Sequence, residues 1–293
     1  MDLTEILSNP PVLETVCQNL TFEEAIDLWH VLGRKTLNCS VPINDPDDEI
    51  HFLDRVDPTT IRTYYRILEY GSDFALINAI NFQKEPDFPV IDTLIRNGVN
   101  INYNYENLTP LIAAVKRRNV KLVKLLLENG ANVNYKNKYG SALATAVHNN
   151  FFEIVELLLN FKADPNIQIK KDLTPLLIAV SRANQESLEL LLKHGADPNL
   201  AMSTGTAPLL AAASLGNLKM VNLLLNQKAN VDQADRLGET PLIRAAYYNY
   251  SDIVKVLLEA GANRFLRDRA NKTAFDRAGN QGNFEIIKLL SQK

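Results

Sequence analysis

Few residues of this chain could do chemistry, and they are scattered. His30, His51, His148 and His194 are far apart, and the two cysteines, Cys17 and Cys39, form no Cys-x-x-Cys and join no Cys/His cluster. That argues against a structural zinc site and a disulfide framework. Cys17 lies on an apolar helical pattern and reads as core, not as a nucleophile. His194 stands just before Gly195, at a predicted helix C-terminus, where a cationic side chain is favoured by the helix dipole. There is no phosphate-cradling GxxxxGK[ST], no GxSxG and no HExxH. Asp164-Pro165-Asn166 and Asp197-Pro198-Asn199 are turn formers and not metal ligands. The expectation is no catalysis, no cofactor and no metal. What remains is recognition chemistry: lysines, arginines and tyrosines that hold a charged partner and supply rigid contact area.

The elements that must position such residues recur at a fixed interval. Ala131, Ala163, Ala196, Ala229 and Ala262 follow one another at steps of 32, 33, 33 and 33 residues. Leu111, Leu143, Leu176, Leu209, Leu242 and Phe275 do the same at 32, 33, 33, 33 and 33. Thr109-Pro110, Thr174-Pro175 and Thr240-Pro241 place an N-cap before a proline suited to the first helical turn. A short helix with small residues on one face follows, then a second helix with an aliphatic face, such as Leu122, Val123 and Leu126. Gly130, Gly195 and Gly261 can take positive φ and end the second helix, whereas Lys162 and Lys228 replace the glycine and predict slight strain or a different cap there. A two-helix unit this small cannot bury its own apolar face and must stack on its neighbours.

The "TPL", "AA", "LLL" and "GADPN" strings at this period resemble the ankyrin repeat, over about seven units in residues 73–293. The resemblance implies an all-α fold, a curved α-solenoid with hairpin-like finger loops, preceded by a small helical N-terminal domain or cap in residues 1–72. The histidine that follows "TPL" in the family is absent, replaced by Ile112, Ala144, Leu177, Leu210, Ile243 and Asp276. Aliphatic packing is therefore expected in place of its hydrogen bonds.

The overall charge of −3 conceals a contrast: residues 1–72 carry 13 acidic and 5 basic side chains, residues 73–293 carry 21 and 26. No apolar run approaches the ~20 residues of a membrane span, and the acidic start "MDLTEILSNPP" does not read as a secretory signal. With so few cysteines, an intracellular, cytoplasmic setting is expected, or a host-cell cytoplasm for a bacterial effector. The first segment reads as helices. Its Pro10, Leu13, Val16, Leu20, Leu28 and Val31 resemble the apolar framework of an F-box, departing from it at Asn9 and Val12. The F-box resemblance implies docking on the adaptor of a cullin–RING ubiquitin ligase; the alternative is a cap shielding the first repeat.

The ankyrin resemblance implies that partners bind the concave face, through finger tips and first-helix ends. Counted from each "TPL" leucine over five units, those 25 positions hold seven Lys or Arg and two Glu. The candidate partner-binding residues are Tyr105, Lys116, Arg117, Lys138, His148, Lys170, Lys171, Arg182, Arg236, Tyr247 and Tyr248. The expectation is an adaptor holding an acidic protein segment on a basic groove. The alternatives are an F-box-type substrate receptor and, disfavoured by the negative overall charge, a nucleic-acid binder.

Overall fold

A computed structural model describes residues 72–81, 86, 88–137 and 140–291 of the protein. The F-box-like framework from Pro10 to Val31 lies outside the described residues, and so does Lys138. The chain divides into two compact units, Met1–Ala79 with Glu85–Asn100, and Ile80–Lys84 with Ile101–Lys293.

In the first unit, helices α1 (Ser72–Asn81) and α2 (Phe88–Arg96) carry fully buried Leu76, Ile77, Ile91 and Leu94. The Asp92–Arg96 pair, 2.7 Å apart on successive turns, lies on the exposed side of α2. The chain leaves α2 through left-handed Gly98.

Six helix pairs make up the second unit. The first helices are α3 (Pro110–Lys116), α5 (Ala142–His148), α7 (Pro175–Ser181), α9 (Pro208–Ser214), α11 (Pro241–Tyr247) and α13 (Ala274–Asn280). The second helices are α4 (Val120–Glu128), α6 (Phe152–Asn160), α8 (Gln185–Lys193), α10 (Leu218–Asn226), α12 (Ser251–Glu259) and α14 (Phe284–Ser291). The predicted caps form: Thr109, Thr174 and Thr240 accept the N–H of Ile112, Leu177 and Ile243 at 3.3, 3.2 and 3.2 Å. Ser141 does the same for Ala144 at 3.1 Å, but Ala207 has no side chain to offer and α9 starts uncapped. Asn119, Asn184 and Asn217 cap three of the second helices.

The stack is held by small and branched side chains in alternation. Ala114, Ala146, Ala179, Ala212, Ala245 and Ala278, one position in six consecutive repeats, are each 0% exposed. Without side-chain bulk there, successive first helices pack on one another closely. The second helices, mostly nine residues long against seven, also pack in a row, but less tightly. A tight row beside a loose one curves this unit, with the first helices on the inner side. Leu122, Leu126, Leu158, Leu191 and Leu224 fill the space between the rows with no exposure. The residues standing where the histidine would be, Ile112, Ala144, Leu177, Leu210 and Ile243, are all buried, as expected of packing in its place. Asp276 differs: it rebuilds polar bonding as a capping box, its carboxylate accepting the Thr273 N–H at 2.9 Å.

The recurring loop has its own physical reason. After α2, α4, α6, α8 and α10 an Asn or Asp side chain accepts a backbone N–H from the next repeat. Asn102 takes Asn132, Asn134 takes Asp164, Asn166 takes Asp197, Asn199 takes Asn230 and Asp232 takes Asn263, at 2.6 to 2.9 Å. Asn102, Asn134 and Asn166 also donate across the same joint, to the carbonyls of Gly130, Lys162 and Gly195. Within each loop a second side chain closes an Asx turn, as when Asp164 and Asp197 accept from Asn166 and Asn199 at 2.9 and 2.8 Å. The Asp-Pro-Asn triplets are thus turn formers, and also rungs between repeats. Phe265 stands where the next rung would be, and it is 77% exposed. The predicted strain is present too: Lys162 and Lys228 adopt φ of 65° and 61°, as Gly130, Gly195 and Gly261 do at 86°, 88° and 89°. Among the described residues no helix is long and apolar enough to cross a membrane.

Candidate functional site

The finger loops are narrow hairpin-like turns. Tyr105 and Leu108 exchange backbone hydrogen bonds of 3.0 and 2.7 Å, and Lys136–Asn137 pairs antiparallel with Gly140–Ser141. Neighbouring fingers are tied to one another. Asn137 Nδ2 donates to the Asn107 carbonyl at 2.5 Å, and the N–H groups of Ser203, Arg236 and Arg269 reach the carbonyls of Lys171, Thr204 and Leu237 at 3.2, 3.0 and 2.9 Å. The bonds Lys171–Ser203 and Thr204–Arg236 run through candidate positions, so Lys171 and Arg236 lie on one continuous row of fingers.

Lys170 and Lys171 sit in a single 3₁₀ turn, Lys170–Asp172, in which Lys171 and Asp172 take φ of 63° and 58°. Both lysines are exposed, and Asp172 beside them offsets part of their charge. Lys116 closes α3 and is exposed, and Arg117 caps that helix and is half-buried. His148 and Arg182 are brought together across two repeats: Arg182 Nη2 lies 2.5 Å from His148 Nε2 and 3.2 Å from Nδ1. An imidazole carries no negative charge, so this contact leaves the guanidinium charge unneutralised. Among the described residues, Lys116, Lys170, Lys171, Arg182 and Arg236 make no ion pair with a carboxylate, in contrast to Arg244 and Arg277.

Tyrosines mark the far end of the row. Tyr247 and Tyr248 are 39% and 42% exposed and meet edge to face with centroids 5.0 Å apart. Tyr248 lies 6.1 Å from Tyr250. The Tyr250 ring covers Gly216, where an added Cβ would come within 2.6 Å of it, so this glycine is required for close approach and its φ of 72°. Tyr105, 37% exposed, stands on the first finger of this unit.

Three features were not foreseen from charge counting. Leu215 and Leu237, on candidate positions, are each 54% exposed. Arg244 contacts Glu239 at 2.6 Å and Asp235 at 3.7 Å, and its Nη1 reaches the Tyr248 hydroxyl at 3.4 Å. One repeat later Arg277 Nε donates to Asp268 Oδ2 at 2.8 Å. The 33-residue interval between Asp235 and Asp268, and between Arg244 and Arg277, is the signal in the sequence that would have found them. Burial pushes the Asp268 carboxyl up, but hydrogen bonds from the Lys272 N–H and from Arg277 outweigh it and hold it below its usual range. Burial raises Glu239, partly opposed by Arg244, and leaves it above its usual range.

Sequence and structure comparisons agree. A family model of ankyrin repeats matches residues 76–169, 143–235, 176–268 and 209–293. Among solved structures the chain is similar to EF0377, an ankyrin repeat protein, at 34% identity and a TM-score of 0.59, over 62% of this chain and 96% of that one. No curated protein sequence matches.

Proposed function

The chain belongs to the ankyrin-repeat family, and from that premise we propose that it is an intracellular adaptor holding an acidic segment of a partner protein against its first helices and fingers. Ankyrin repeats are protein–protein interaction modules and typically non-enzymatic scaffolds. The observation that carries the finer reading is the set of cations left without carboxylate partners at equivalent inner positions: Lys116, Lys170, Lys171, Arg182 and Arg236. Elsewhere in the array Arg244, Arg267 and Arg277 are paired with carboxylates. Unpaired charge on one row of loops steers an oppositely charged chain toward it.

The test is capture of partners from cell lysate on the full-length protein at two salt concentrations, followed by kinetics with the captured protein. Reversing Arg117 and Arg182 to glutamate is expected to slow association, with the difference shrinking as salt rises, since exposed charge is screened over about 8–10 Å. Unchanged association for this variant at low salt places binding elsewhere.

A further inference from the structure

We infer that the partner segment is bipartite, an acidic stretch joined to an aliphatic or aromatic stretch about six residues along, and that the array reads the two in a fixed order. This rests on the reading above, that the inner face binds a protein.

One position of the repeat, six residues after each "TPL" leucine, shows the division. Through five consecutive repeats it holds Arg117, Asn149, Arg182, Leu215 and Tyr248. The row is polar and cationic for three repeats, apolar for two and polar again at Gln281 in the last. Leu215 and Tyr248 are 54% and 42% exposed, and Leu237, on the finger at the other end of α11, is 54% exposed. A lone exposed leucine needs no explanation, but Leu215 and Tyr248 at the same position of adjoining repeats make a patch. The patch is preorganised: Tyr248 is flanked by the Tyr247 and Tyr250 rings, and Tyr250 is seated on Gly216. Rigid aromatic surface of this sort anchors an interface at low entropic cost.

Charge separates in parallel with polarity. At the apolar end the helix arginine, Arg244, is taken up by Glu239 and Asp235, and the cations without a carboxylate, such as Arg236 and Arg269, stand on the fingers and not at the first-helix ends. At the other end Lys116, Lys170, Lys171 and Arg182 have none. An acidic chain is therefore complementary to the earlier repeats and an apolar one to the later repeats. Neighbouring repeats stand about one helix diameter apart, ~10 Å, so Arg182 and Tyr248, two repeats apart, are separated by roughly 20 Å. An extended chain covers that in about six residues at ~3.3 Å each.

The experiment is selection of random displayed peptides of about fourteen residues, long enough for the ~40 Å from Arg117 to Tyr248, on the full-length protein. Enriched peptides are expected to carry Asp or Glu and, about six positions away and always on the same side, Leu, Ile, Phe or Tyr. For the selected peptide, Leu215→Ser with Tyr248→Ala should lower affinity about tenfold or more at every salt concentration. Arg117→Glu with Arg182→Glu should lower it in a salt-dependent way. All these side chains are exposed or half-buried, and Leu237→Ser, on a finger tip, gives an independent apolar variant. Acidic peptides indifferent to the three apolar variants would overturn the bipartite inference and leave the acidic-partner reading standing. Peptides indifferent to arginine reversal would overturn both. No enrichment, or self-association that hides Leu215 and Tyr248, would also overturn the inference.

Discussion

Two consecutive fingers of this array start from the same plan and arrive at different electrostatics. Asp235 and Asp268 each accept the N–H four residues on, from Glu239 at 3.0 Å and Lys272 at 2.9 Å. Each has an arginine nine residues further along, Arg244 or Arg277. Among the positions at which the two repeats differ, Glu239 stands where Lys272 does. In the later finger the lysine leaves Asp268 and Arg277 to each other, two nitrogens on one oxygen. In the earlier finger Glu239 draws Arg244 to 2.6 Å and away to 3.7 Å from Asp235. A repeat thus fixes backbone and core, while the choice of a half-buried Glu239 against Lys272 bears on whether an arginine staples a finger or is shared between two acids.

Breaking the two aspartates separates the cases most strongly. Asp268→Asn keeps an acceptor for the turn but leaves Arg277 without a charge partner. It should cost about 3 kcal/mol in urea unfolding, the scale for breaking a largely buried pair. Asp235→Asn should cost about 1 kcal/mol or less, because Glu239 still holds Arg244. Equal losses would show that the two pairs are equivalent after all. Next come the caps that follow each finger. Thr240→Ala loses one bond and should cost about 1 kcal/mol, whereas Thr273→Ala dismantles a capping box and should cost about 1.5 kcal/mol.

The pH dependence sharpens the same contrast. Asp268 is held below its usual range, so its contribution is complete above the unfolded value of about 3.9 and is lost as pH falls through the folded one. Glu239 is raised by burial, so the folded state takes up its proton first and gains stability as pH falls through that value. In acid titrations of unfolding free energy Asp268→Asn should flatten the decline and Glu239→Gln should steepen it. The smallest effect is expected of Glu239→Lys, which copies the later finger: within about 0.5 kcal/mol in stability, with faster association of an acidic partner as its visible consequence.

Much of this was legible in the sequence. The interval set the helices, Thr-Pro set their starts, and Gly-Ala set their ends, because each rests on local backbone chemistry. The buried alanine row was legible for the same reason. The rungs were not: Asn134 and Asp164 look like ordinary turn residues, and only the stacking of two repeats shows one accepting from the other. The pairing of Arg244 and Arg277 was hidden because a charge count treats every arginine alike, whereas burial beside a carboxylate removes these two from the surface charge. Leu215 and Leu237 fell among the inner positions by register, but a count of charge passes over leucine, and only geometry shows how far each is exposed.

The rungs also decide how the array would answer a pull on its ends. Each side-chain bond crosses a single joint, and none skips a repeat, so load passes through the joints in series and the weakest gives first. The last two joints are marked out: Asp232 accepts from Asn263 but, as a carboxylate, has no amide hydrogen to return, unlike Asn134 and Asn166, and Phe265 stands where the rung after it would be. Stretching would therefore peel the last two repeats before the middle ones, and the molecule would lengthen stepwise, as a spring whose softest coil lies near one end.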